Sequence, residues 1–115
     1  MPDWSIKIIR PKGQQLAQFV PDIDGAEPGD PLEVEQGDLV SWNNMDDCEH
    51  WPVPVDASPP YQLTAAAIQP DSSSPWFNVT FPAGTTISYC CEFHQEERGQ
   101  LVVVPFGHRP KRPAA

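Results

Sequence analysis

Cys91 and His94 lie three residues apart in the stretch 89–103, YCCEFHQEERGQLVV. A cysteine at the end of one strand and a histidine just before the next put a thiolate and an imidazole on one tight loop. A soft thiolate with imidazoles suits copper or zinc. Two ligands do not make a site, so a third donor must come from elsewhere in the chain. His50 is the only other histidine outside the C-terminal tail, and it follows a strand-like segment, SWNNMDDCEH. Three cysteines is an odd number, so at least one is not in an internal disulfide. His50, Cys91 and His94 are therefore the candidate metal-binding residues.

The elements that must hold these residues read as short strands. Residues 4–9 (WSIKII) alternate and are rich in β-formers, and residues 16–20 form a short second strand. Residues 21–31 (PDIDGAEPGDP) are a loop by composition. Residues 32–35 and 38–43 are strands divided by the Gln36-Gly37 turn signal. The stretch 44–75 is the least regular, with 63–68 (LTAAAI) expected to make a turn or two of helix. Residues 76–81 (WFNVTF) and 85–91 (TTISYCC) are strands on either side of a Pro-Ala-Gly turn, and 101–104 closes the domain. Seven to eight strands with turns at this spacing predict an all-β, Greek-key β-sandwich.

Composition agrees with that class. The 115 residues amount to one domain, with a modest core. Fifteen prolines and seven glycines interrupt the chain too often for long helices. The domain is expected to span 1–104, and the Pro-rich 105–115 (PFGHRPKRPAA), which includes His108, to be a disordered basic tail. No apolar run approaches the roughly 18 residues of a membrane span, and Met1-Pro2-Asp3-Trp4 has no signal-peptide character. The net charge of −9 includes three basic tail residues, so residues 1–104 are more acidic still. Nucleic acid is excluded as a partner because phosphate binding needs a basic footprint. A metal cation or a basic protein fits the sign.

Residues 76–104 (WFNVTFPAGTTISYCCEFHQEERGQLVVV) resemble the C-terminal third of the plastocyanin/amicyanin branch of the cupredoxins. That pattern has a Pro/Gly turn, a Tyr-containing strand ending in Cys, then His, an axial residue, and Gly before a Val-rich strand. Residues 31–53 (PLEVEQGDLVSWNNMDDCEHWPV), with Gly-Asp-x-Val-x-Trp-x-Asn, resemble the part that delivers the first histidine. Together they cover about half the chain, in the right order. The resemblance implies one copper ion held by His50, Cys91 and His94. It also implies single-electron transfer rather than enzymatic turnover, a redox partner protein with a basic docking surface, a monomer, and a periplasmic or secreted mature form.

Two departures from the family pattern bear on the chemistry. The axial methionine of the family falls on Glu97, and this loop holds no methionine. A carboxylate is a hard donor that favours Cu(II), lowers the potential and pulls the site toward tetragonal geometry. A green or red protein is then expected, with Glu96 as the alternative donor. Trp51-Pro52 stands after His50 where relatives often have Asn-Val, so the hydrogen bond that orients the loop is expected from another source. Asp46, Asp47, Glu49, Glu92, Glu96 and Glu97 crowd the same end and read as mainly solvated charge that favours a basic partner. Strand alternation turns Cys90 away from Cys91, and a Cys48–Cys90 pair is the alternative to free thiols. Three further functions compete with electron transfer: copper capture or delivery, a Glu-ligated red-copper site with an open coordination position, and a metal-free interaction domain.

Overall fold

The structure is a computed structural model that describes residues 3–56 and 61–107. Residues 108–115, which hold His108 and most of the expected tail, lie outside the described residues. The described residues form two packed sheets and no helix. The first sheet contains β1 (Asp3–Ile9), β2 (Gln18–Pro21), β4 (Leu39–Asn44), β6 (Ser72–Ser73) and β7 (Phe77–Asn78). Its order is β2-β1-β4-β6, with β7 also paired to β4. The second contains β3 (Leu32–Val34), β5 (Pro52–Pro54), β8 (Thr86–Cys91) and β9 (Arg98–Val103), in the order β3-β9-β8-β5. The β1/β4 and β3/β9 pairs are parallel and the rest antiparallel. This is the expected sandwich, with nine strands among the described residues rather than seven or eight.

The period-two pattern explains the packing. Alternate residues of β1 (Trp4, Ile6, Ile8) and β4 (Val40, Trp42) point inward. They meet Leu32, Val34, Ile87, Tyr89, Cys91, Leu101 and Val103 from the second sheet. Gly37 turns the chain between β3 and β4 at φ 97°, a conformation costly for residues with a β-carbon. Its neighbour Asp38 fixes the corner through Oδ2, which accepts from Glu35 N–H and from the Trp4 indole at 2.9 Å each.

Three element boundaries differ from the sequence reading. The 63–68 segment makes bends, not helix, because its groups have tertiary partners. The Thr64 carbonyl accepts from the Trp51 indole (3.1 Å), and Ile68 exchanges backbone hydrogen bonds with His50. Of residues 76–81 only Phe77–Asn78 pairs as strand, leaving Trp76 exposed. The closing strand starts early, at Arg98, because Arg98, Gly99 and Gln100 pair with Cys90, Tyr89 and Ser88. That brings β9 directly up to the end of the loop carrying His94.

Candidate metal centre

Cys91 is the last residue of β8, and β9 begins at Arg98, so six residues make the connection. Backbone hydrogen bonds close it: His94 N to Cys91 O (3.2 Å), Glu97 N to His94 O (3.0 Å) and Cys91 N to Glu97 O (3.0 Å). Glu92 N binds Trp51 O (2.9 Å) and ties the loop to the segment after His50. His50 itself is pinned through the bridge to Ile68, with N–H to O distances of 3.2 and 2.7 Å.

These constraints converge four side chains. Donor atoms of His50, Cys91, His94 and Glu97 all lie within 4.8 Å of one another. His50 Nδ1 is 3.6 Å from Cys91 Sγ and 3.2 Å from Glu97 Oε1. His94 Nδ1 is 3.5 Å from the same Oε1. His50 and Cys91 are fully buried and Glu97 nearly so, whereas the His94 side chain is 44% exposed. Glu97 Oε2 accepts the Ala17 N–H at 2.6 Å, and this turns Oε1 toward the two imidazoles. Oε1 is buried and has no hydrogen-bond partner. Its nearest polar neighbours are the two imidazole nitrogens, an arrangement that one shared cation could also occupy. A thiol, two imidazole nitrogens and a carboxylate oxygen fit copper, and fit zinc as a second choice.

The electrostatics follow from these contacts. Burial disfavours the charged His50 ring, but the bonds to Cys91 and Asp46 and the charge of Glu97 outweigh it and push its pKa up to about 9. Burial likewise opposes the Asp46 carboxylate, yet His50, Arg10 and the Asp47 N–H hold it at about 2. Burial raises the Cys91 thiol, and hydrogen bonds from His50 and nearby backbone N–H groups more than reverse that, leaving it below its ordinary value.

A pH dependence of the metal-free fold results. His50 is raised in the folded state, so its stabilisation is complete below about 6.5 and is lost as pH rises through 9. Asp46 works in the other direction: its stabilisation is complete above about 3.8 and is lost as pH falls toward 2. The lowered Cys91 thiol partly offsets the alkaline loss. Urea unfolding of the metal-free protein should therefore show a loss of up to about 3 kcal/mol between pH 6.5 and 9. Stability that is flat or rising across that window contradicts the assigned contacts.

All four residues singled out in the sequence meet here. Glu96, the alternative donor, is exposed and outside the cluster. Cys48 and Cys90 are both free thiols, exposed and buried respectively, so the alternative pairing does not form. Two acidic residues read as solvated charge are buried: Glu97, and Asp46 at 8% exposure. The sequence reading missed the contributions of Ala17, Ile68 and Arg10. No local signal marks them, because they reach the site from the β1–β2 connection and the 61–71 segment. Asp46, four residues before His50, carries a weak positional signal only.

The sequence matches no family model and no curated protein. Solved structures do match. The reduced state of a proline-to-phenylalanine variant of amicyanin is 28% identical over 64% of this chain and 68% of that chain, with a TM-score of 0.51. The reduced Cu(I) form, at pH 4, of a proline-to-glycine variant of amicyanin is 21% identical over 86% of this chain and 79% of that one, at TM-score 0.57. Amicyanin from Paracoccus versutus is 17% identical with coverages of 86% and 78% and a TM-score of 0.56. These likenesses identify the sandwich as a cupredoxin fold.

Proposed function

We propose that this cupredoxin-fold chain is a mononuclear copper protein that carries single electrons, with His50, Cys91, His94 and Glu97 as the metal's ligands. The observation that carries the reading is the convergence of two imidazole nitrogens, a buried thiol and the buried Glu97 Oε1 within 4.8 Å of one another. Bound copper would supply a one-electron change between Cu(II) and Cu(I), and amicyanin, the structural neighbour, has been solved in reduced and Cu(I) forms.

The chain's own residues supply the rest of the function. His50 and Cys91 are withdrawn from water in the core, which limits rearrangement of the donor set. His94 alone among the four reaches the surface, beside exposed Phe93, whose ring lies 6.5 Å from that of Trp51. This apolar edge is the proposed contact for a redox partner. Exposed Glu92 and Glu96 lie next to it and favour a basic docking surface. We place the chain, acting as a monomer, in a periplasmic or secreted setting.

Cyclic voltammetry of the copper-loaded protein tests this reading. A reversible one-electron couple over repeated cycles is the expected result. Loss of metal on each reduction would favour copper capture instead, and a spectrum shifted by azide or nitrite would favour a centre with an open position.

A further inference from the structure

His50 presents only one ring nitrogen to the other three donors. Its Nδ1 faces Cys91 and Glu97, while Nε2 points the opposite way, 2.7 Å from Asp46 Oδ2. Asp46 is held there from several sides. Arg10 donates to the same Oδ2 from Nη2 (2.8 Å) and Nε (3.2 Å). The Asp47 N–H donates to Oδ1 (2.8 Å), and the Asp46 N–H donates to Asn44 Oδ1 (3.0 Å). Asn44 Nδ2 in turn donates to the carbonyls of Cys48 (2.8 Å) and Ile68 (2.9 Å). Arg10 Nη2 also lies 3.2 Å from Cys48 Sγ. The carboxylate and the ring are both buried, so water does not compete for this bond.

We infer that Asp46, braced by Arg10, is the positioning residue of the centre: it holds Nε2–H of His50 toward itself and so presents Nδ1 as the atom that a metal would take. An ionised carboxylate can only accept, so the hydrogen on this bond belongs to Nε2. A ring locked in this way cannot flip, because a flip would break the bond to Asp46 and present carbon where Nδ1 now faces Cys91. Carboxylates behind a ligand imidazole fix its tautomer and raise its basicity, and their loss typically costs 10–100-fold in metal affinity. The role assigned to Nδ1 rests on the copper reading above, whereas the Nε2–Asp46 bond does not.

The test uses Asp46→Ala, Asp46→Asn and Arg10→Met in the full chain, with Asp47→Asn as control. The His50 Nε2–H resonance is followed by NMR in metal-free and Cu(I)-loaded protein, and Cu(II) affinity is measured by chelator competition. In the parent and the control the resonance should be resolved and slow to exchange with water. Asp46→Ala should lose it and bind Cu(II) 10–100-fold more weakly. Asp46→Asn retains an acceptor oxygen, so it should keep the resonance and part of the affinity. Arg10→Met should lie between the parent and Asp46→Ala. A protected Nε2–H in folded Asp46→Ala, or unchanged affinity there, overturns the inference. Should Asp46→Ala not fold, faster Nε2–H exchange in Arg10→Met supports the assignment and parent-like exchange overturns it. A parent that takes up no copper refutes the proposed function instead, and the metal-free NMR result still decides the Asp46 bond.

Discussion

Glu97→Met raises the reduction potential of the copper-loaded protein by roughly 100–200 mV and shifts its colour toward blue. The carboxylate oxygen lies within 4.8 Å of the other donor atoms and is cut off from solvent. Reduction lowers the charge of the ion by one, so a neighbouring carboxylate favours the oxidised form by about one charge–charge interaction. At about 4 Å and an effective dielectric of about 20 that is ~4 kcal/mol. At about 1.4 kcal/mol and about 59 mV per decade, this corresponds to some three decades, or ~170 mV. A thioether removes that charge and is a softer, weaker donor, which favours Cu(I). The same change deprives the Ala17 N–H of its acceptor, at a cost to the fold of about 1–3 kcal/mol. Voltammetry and optical spectra of parent and variant make the comparison. A potential that moves by less than about 30 mV, or that falls, would mean that Glu97 does not act on the ion.

Gly99→Ala should lower stability by about 3 kcal/mol or more, the upper end for overpacking a core. Gly99 is paired with Tyr89 across β8 and β9. A β-carbon there would overlap the Tyr89 ring, standing 2.8 Å from Cε1 and closer still to the end of the phenol. Two aromatic neighbours oppose a shift of the ring. It is wedged edge-on between Phe19 and Trp42, with centroids 4.9 and 5.4 Å away. For a domain of this size the loss corresponds to a melting-temperature drop of roughly 10–20 °C. The effect should reach the site too, because Tyr89 is two residues from Cys91 and Gly99 two from Glu97. A melting temperature within about 3 °C of the parent would show that the ring relaxes freely.

The strands most legible in the sequence were those whose inward and outward residues alternate. WSIKII and TISYCC appear within one residue of where alternation puts them, because burying one face of each is what fixes it in the sheet. The 63–68 segment was misread because alanine-rich composition favours helix only where nothing else claims the backbone. Here Trp51 and His50 claim it. His50, Cys91 and His94 were legible because the cysteine and histidine flank one short turn and His50 is the only other histidine before the tail, whereas Glu97 was named only through the family resemblance, at its axial position. Burial was not legible. Asp46 and Glu97 carry the same charge as their exposed neighbours Asp47 and Glu96, and what sets them apart is distant in sequence: Arg10 in one case, the Ala17 N–H in the other. A local pattern can nominate ligands, but the contacts that orient them come from tertiary structure.

The most direct test of the proposed copper centre is an optical and EPR titration of the metal-free protein with Cu(II), run beside Cys91→Ala. A visible charge-transfer band is expected that saturates at one equivalent in the parent and is absent from the variant. The hyperfine splitting should reflect carboxylate ligation by Glu97. No band in the parent, or a band that survives in Cys91→Ala, would contradict thiolate–copper ligation and leave the fold as a metal-free interaction domain.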